Sequence, residues 1–313
     1  MTFGISGGRR AAAVLLTTGA VLAAGPLVSP AAAASATAAP KVSAKGAFLM
    51  DASSGKTVFS KSADTKRQMA STTKTMAVAV VLDTKGVNPD KKVTVKQTYR
   101  DYVAKNGAST ADLRTGDKLT VRQLLYGTML PSGCDAAYAL ADTFGSGSTV
   151  SARTKSFISK MNAKAKSLGM TNTKFDSFDG ISKAGNNYST PRDLAKLARH
   201  AMKNSTFKTV VKAASTKQKA TAKGGGTRTY TWYNTNKLLG SYKGATGAKT
   251  GTGTAAGPCL IFSATKNGKS LVGVILNDSN RYADAGKMLD YGFGKKTTST
   301  LKVKPLPQGA QQD

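Results

Sequence analysis

Ser71-Thr72-Thr73-Lys74 stands at the head of an apolar run, Met76-Ala77-Val78-Ala79-Val80-Val81-Leu82. The run is apolar on every side, which predicts a buried helix. A helix brings residues three apart onto one face, so the Ser71 hydroxyl and the Lys74 amine are expected to face each other, with Ser71 in the first turn. Free serine is a poor nucleophile until a neighbouring base takes its proton. Lysine can serve as that base where burial or a nearby cation favours its neutral form. A helix N-terminus adds N–H groups where an oxyanion would develop. Alone, the stretch is equally readable as an N-cap before a core helix.

The composition narrows the chemistry. The chain has 313 residues, enough for a large core. Lys and Arg number 46 against 16 acids, for a net charge of +30. All the acids are aspartate. One histidine, His200, and two cysteines, Cys134 and Cys259, complete the reactive set. A histidine-rich zinc site cannot be assembled, and any mechanism that requires a glutamate base is excluded. A Ser-His-Asp hydrolase would have to use His200, which lies late in a basic helical stretch. A lysine-assisted serine enzyme survives each exclusion and implies neither cofactor nor metal. The positive charge implies acidic surroundings. Its scatter along the chain favours a basic solvated surface over a specific nucleic-acid site.

Residues 1–34 read as an export signal, with Arg9-Arg10, an apolar stretch and Ala32-Ala33-Ala34 before Ser35. Residues 35–44 read as a flexible leader. A hairpin is expected from Ala47–Met50 and Thr57–Ser60, leading to the Ser71 helix. From about 84 to 222 the pattern is mostly helical. Thr120 and Gln123 form a capping box. Pro131-Ser132-Gly133-Cys134 breaks a helix pair, and Thr190-Pro191-Arg192-Asp193 opens another helix. Strands are expected again after Tyr230. These include Lys249–Thr254 and two apolar runs, Cys259–Thr265 and Leu271–Leu276, turned by Asn267-Gly268. A helix from Arg281 to Tyr291 closes the folded part, and 296–313 is a short tail. The order predicts an α/β (α+β) domain over 45–295. Its antiparallel sheet is built from both chain ends and flanked by helices, with a helical lobe, about 84–222, inserted. A cleft between lobes is the natural place for a site.

Two more short motifs fall into order with the first: Ser132-Gly133-Cys134, and Lys249-Thr250-Gly251-Thr252 on an expected strand. The set resembles Ser-x-x-Lys, Ser-x-Asn and Lys-Thr-Gly of the penicilloyl-serine transferases. Longer context is similar to the serine-type D-Ala-D-Ala carboxypeptidases, the low-molecular-mass penicillin-binding proteins. It includes Leu124-Leu125-Tyr126, Asp135-Ala136-Ala137, Leu168-Gly169-Met170, Asn234-Thr235-Asn236-Lys237-Leu238 and Leu289-Asp290-Tyr291-Gly292-Phe293. Cys134 stands where the family pattern has Asn, as in a streptomycete DD-transpeptidase branch that this sequence resembles most. A thiol is a weaker donor and acceptor than an amide, so Cys134 is either a substrate contact or a small packing residue. A Cys134–Cys259 disulfide is a further option in an exported chain, decided by geometry rather than by count.

The resemblance implies a β-lactamase/DD-peptidase-like fold and an acyl-Ser71 intermediate on peptidoglycan stem peptides ending in D-Ala-D-Ala. Lys74 would act as base and Ser132 in the proton relay. Lys249, Thr250 and Thr252 would hold the terminal carboxylate, and the N–H groups of Ser71 and Thr252 would form the oxyanion hole. β-Lactams are expected as covalent inhibitors. Without glutamate, the deacylation route of class A β-lactamases is closed. A serine β-lactamase on the same fold and a non-catalytic basic wall-binding protein are the alternatives. The expected setting is secreted and cell-wall associated, with a monomer and with anionic cell-wall polymers as a further candidate partner.

Overall fold

The structure, a computed structural model, describes residues 1, 11, 13, 38–295 and 301–311. The expected export signal lies, apart from three isolated residues, outside the described residues, as does 296–300 of the tail. The chain divides into two compact units, 1–36 and 37–313, and every element below belongs to the second.

Strand β1 (Gly46–Asp51) turns back into β2 (Thr57–Lys61), and a short β3 (Arg67–Gln68) follows. A 3-10 turn, Ala70–Thr73, then feeds α1 (Lys74–Leu82). Ser71 therefore sits on the tight turn before the α-helix rather than inside the helix's own first turn. The geometry still sets Ser71 one turn from Lys74. Helix α1 is buried from Lys74 to Val81, as its all-round apolar sequence requires.

The middle of the chain carries β4 (Lys92–Thr94), α2 (Gln97–Asn106), β5 (Lys118–Thr120), α3 (Val121–Met129), α4 (Cys134–Phe144) and α5 (Val150–Ser167). It continues with β6 (Tyr188–Ser189), α6 (Pro191–Ala201), α7 (Ser205–Lys212), β7 (Ser215–Thr221) and β8 (Thr227–Tyr233). Thr120 and Gln123 cap α3 reciprocally, and Thr190 caps α6 with Pro191 in its first turn. The middle is mostly helical, as expected, but its later part carries a ribbon that the reading did not expect. β7 and β8 form an antiparallel ribbon that joins β4 and β5 in a four-stranded sheet of order β4-β5-β7-β8. Strands thus resume at Ser215, not after Tyr230. Only Ala220 of β7 is buried, so this strand has no apolar alternation to announce it.

The chain closes with α8 (Leu238–Ser241), β9 (Ala245–Gly251), β10 (Cys259–Lys266), β11 (Lys269–Leu276) and α9 (Arg281–Gly292). The principal sheet has the order β2-β1-β11-β10-β9, antiparallel throughout, so strands from both chain ends do meet at its centre. One core lies between this sheet and α1, α3, α4 and α6, and a second lies under α8 and α9 on the sheet's other face. The end of the expected leader is tied down. The Ser43 hydroxyl donates to Asp278 at 2.7 Å and to Asp284 at 2.8 Å, and Ala44 is fully buried. Among the described residues, no helix is long and apolar enough to cross a membrane.

Candidate active site

Strand β9 is the sheet edge, and its last residue abuts the Ser71 turn. A Cβ placed on Gly251 would lie 2.8 Å from the backbone nitrogens of both Ser71 and Thr72. Only a bare backbone can approach so closely. On the other side, Gly180 (φ +105°) packs against the carbonyl of Ala70, where a side chain would collide at 2.1 Å. That contact brings the loop after Phe178 over α1. The Asp179 carbonyl then accepts a hydrogen bond from Lys74 Nζ at 3.1 Å. The same amine donates to Ser71 Oγ at 2.8 Å and is fully buried.

The second motif is held by a carboxylate. Buried Asp135, in the first turn of α4, accepts hydrogen bonds from Ala111 N and Leu113 N and from the Thr110 hydroxyl, at 2.8, 3.0 and 2.8 Å. This fixes the loop after α2 beside the α3–α4 break. Ser132 takes a left-handed backbone, φ +63°, a conformation that non-glycine residues hold only when the surroundings enforce it. Its carbonyl accepts from the Ser109 hydroxyl at 2.7 Å. Its own Oγ is buried and has no hydrogen-bond partner among the described residues.

Cys134 is 1% exposed. Burial pushes its thiol up to about 12, against the opposing pull of the Lys74 charge. Its Sγ lies 3.7 Å from the Ser109 hydroxyl. Cys134 and Cys259 are both reduced, so the disulfide option is closed in this structure. Burial, with help from the Asp179 carboxylate, also pushes the Tyr102 phenol upward.

Along β9, Lys249 is buried and donates from Nζ to the Thr250 carbonyl at 2.9 Å. The Thr250 hydroxyl is bonded to that of Thr235 at 2.6 Å, away from solvent. Thr252 is exposed and accepts from Arg281 Nη1 at 3.0 Å. The same nitrogen reaches the carbonyls of Gly251 and Cys259 at 3.1 and 3.0 Å. Arg281 opens α9 and carries no motif signal; only its tertiary position, against the end of β9, marks it. Asp179 and Ser109 likewise carry no motif signal, whereas Thr235 lies in the family-like stretch Asn234–Leu238 without a role assigned by it.

Ser71, Cys134 and Thr252 share the wall of one cavity of about 750 Å³, which also includes Asn106, Ser109 and Ile181. Lys74, Ser132, Lys249 and Thr250 do not line it and lie buried behind the wall. His200 is away from this cavity, with its ring nitrogen 2.7 Å from Asp83. The arrangement offers a hydroxyl held by a buried amine, turn N–H groups facing a bare sheet edge, and a groove wide enough for a peptide. Such a site pairs a serine hydroxyl with a buried lysine and leaves the histidine elsewhere.

The family model of D-alanyl-D-alanine carboxypeptidases (peptidase S11) matches residues 33–280. The chain belongs to this family of serine DD-peptidases. It is 55% identical to the D-alanyl-D-alanine carboxypeptidase of Streptomyces sp. (strain K15) over 290 residues, which make up 91% of this chain and 98% of that protein. The crystal structure of the DD-transpeptidase from the same strain aligns with a TM-score of 0.80 and 55% identity, covering 82% of this chain and 99% of that one. The D-alanyl-D-alanine carboxypeptidase of Mycobacterium tuberculosis aligns at a TM-score of 0.73 and 27% identity, covering 83% and 94%. The fold is accordingly the β-lactamase-like fold of the DD-peptidases, as the motif order led one to expect.

Proposed function

We propose that Ser71 is the acylated residue in cleavage and exchange at the D-Ala-D-Ala end of peptidoglycan stem peptides. Ser71 Oγ attacks the carbonyl carbon of the penultimate D-Ala while its proton passes to Lys74 Nζ, acting as general base. The developing oxyanion is met by the N–H groups of Ser71 and Thr252. The bond to the terminal D-Ala then breaks, and its nitrogen leaves with a proton relayed through Lys74 and Ser132. The remaining ester on Ser71 is taken by water, which gives hydrolysis, or by an amine of a neighbouring stem peptide, which gives transpeptidation. Thr252 holds the terminal carboxylate, with Lys249 behind the strand and Arg281 as the fixed support of Thr252. Thr250 acts through Thr235, keeping the strand edge in place. Cys134 contributes a neutral, compact wall.

The observation that carries this reading is the 2.8 Å contact between the buried Lys74 amine and the Ser71 hydroxyl. The protein acts as an exported, wall-associated monomer and takes β-lactams as acylating inhibitors.

Incubation with benzylpenicillin is expected to give one persistent mass-shifted adduct per chain, absent from Ser71→Ala. Rapid drug turnover, or an adduct retained in Ser71→Ala, refutes the assignment. A diacyl-Lys-D-Ala-D-Ala analogue, with and without a glycine-type amine, then apportions hydrolysis and transfer.

A further inference from the structure

A second, chemically different surface lies at the other end of β9. Two cavities, of about 530 and 290 Å³, flank the C-terminal half of α6 and meet at Arg199 and Lys203. Neither shares a residue with the Ser71 cavity. From Thr246, on the rim of the larger one, to Thr252 is six residues of strand, roughly 20 Å. Among the described residues, no carboxylate lines either cavity.

The cations there are of two kinds. Arg192, Lys196 and His200 are held by Asp64, Asp193 and Asp83. Arg199 pins the β1–β2 turn through the carbonyls of Ala52 and Ser53. Lys203, Lys208 and Lys212 are exposed, and among the described residues their side chains have neither an ion pair nor a hydrogen bond. Lys208 and Lys212 are four apart on α7, so their charges stand on one face and repel each other. Lys212, in the last turn of α7, is partly offset by the helix dipole. The floor between them is part apolar, Met202, Leu271 and Val272, and part hydroxyl, with Thr246 bonded to Ser263 and Thr265 to Ser270.

We propose that this double cavity is a binding groove for a linear polyol-phosphate polymer. Its phosphodiesters would run past Lys212, Lys208 and Lys203, and its polyol units would lie on the mixed floor. Charge complementarity over two joined cavities selects a repeating polyanion over a single small anion. The choice of a wall polymer over other polyanions rests on the DD-peptidase reading. Bound this way, the enzyme is retained beside its substrate while the Ser71 cavity stays open.

The test uses the chain lacking residues 1–34 and a defined poly(glycerol phosphate) as probe, with binding followed across a salt series. Single-stranded DNA and phosphatidylglycerol vesicles are parallel arms. The groove triple Lys203→Ala/Lys208→Ala/Lys212→Ala is compared with an equal change of charge elsewhere, Lys91→Ala/Lys217→Ala/Lys219→Ala. The groove triple is expected to lose at least tenfold in polymer affinity at low salt and to flatten the log–log salt slope by about 2, at roughly 0.7 per contact for a flexible chain. The control triple is expected to lose less than threefold. Equal losses in both triples overturn the proposal, because net charge alone would then suffice. So does groove-dependent binding of DNA or vesicles that exceeds polymer binding. Benzylpenicillin acylation, measured on the same samples, is expected to be unchanged in both triples, and Ser71→Ala is expected to keep polymer binding. In the unmutated chain, absent acylation with intact polymer binding therefore counts against the catalytic reading alone, and normal acylation without groove-dependent polymer binding counts against the groove alone.

Discussion

Replacing Gly251 by alanine tests how the oxyanion side of the site is held. Gly251 has an ordinary backbone, so only space is at issue. The added Cβ would sit 2.8 Å from Ser71 N and Thr72 N and 3.2 Å from the Met69 carbonyl. Ordinary contact begins near 3.4 Å, so strand and turn must part by about 0.6 Å. All three neighbours are backbone atoms, and no side chain can swing away. β9 cannot simply drift, because the Gly251 carbonyl is held by Arg281 and Gly251 pairs with Cys259. Overpacking of this kind costs about 1–3 kcal/mol, or a Tm lower by several degrees in a domain of this size.

The larger effect is catalytic. Loss of one oxyanion donor costs roughly 10²–10³ in rate, and displacement of that donor is expected to lower acylation about 10²-fold. The assay is the second-order rate constant for benzylpenicillin acylation, read by mass on quenched samples, beside a melting curve. Gly240→Ala is the control, since its Cβ meets nothing within 4 Å and it lies outside the Ser71 cavity; it is expected to behave as wild type. Acylation by Gly251→Ala within threefold of wild type would refute the placement of the Ser71 N–H against β9. So would equal impairment in Gly240→Ala.

Three further outcomes follow from the same contacts. Lys74→Ala should fold and yet acylate roughly 10²–10⁴-fold more slowly, the usual range for loss of a general base; near-normal acylation at neutral pH removes Lys74 from that role. Cys134 and Cys259 are 1% and 0% exposed, and burial holds the Cys134 thiol protonated. A thiol reagent at pH 8 should therefore label neither cysteine until denaturant is added, and fast native labelling contradicts the packing. Asp142 is buried, which by itself raises its pKa. Hydrogen bonds from Lys96, Tyr99 and Arg153, at 2.6, 2.5 and 2.6 Å, more than offset this and leave it lowered. A lowered folded-state pKa means that the stabilisation is complete above the ordinary carboxylate range and is lost as pH falls through the folded value. Asp142→Asn should thus cost about 2–3 kcal/mol at pH 7, with the gap to wild type closing only below roughly pH 4. A gap that does not vary with pH in denaturant titrations refutes the charge argument.

What sequence made legible were features whose signal is local. The apolar run after Ser71, the Thr120 capping box, the Asn267-Gly268 turn and the three motifs each carry their meaning within a few residues, and the elements formed where those signals lie. Signals were absent where a partner elsewhere in the chain decides the structure. The β7–β8 ribbon is polar on both faces of β7. It is fixed by its pairing and by Trp232, whose indole donates to the Ala111 carbonyl at 2.8 Å. Asp117 receives Arg228 and Tyr230 of the same ribbon at 2.7 and 2.6 Å, a contact between residues over a hundred positions apart.

The supports of the site follow the same logic. Asp135 could be noticed as the residue after the second motif, but its work of holding Ala111 and Leu113 appears only once α2 and α4 are packed. Arg281 and Thr235 stabilise β9 from helix and loop positions that no spacing rule connects to Lys249-Thr250-Gly251. This division has a chemical reason. Groups that must act on one atom need short, fixed spacings and leave motifs, whereas groups that hold them in place need only arrive from some direction. Cys134 sits between the two kinds. It occupies a motif position, yet it is fully enclosed, with its sulfur against the Ser109 hydroxyl and the Ser132 carbonyl. On the acyl-enzyme reading proposed above, this residue would shape the wall of the groove, because its sulfur is already turned to Ser109 and Ser132.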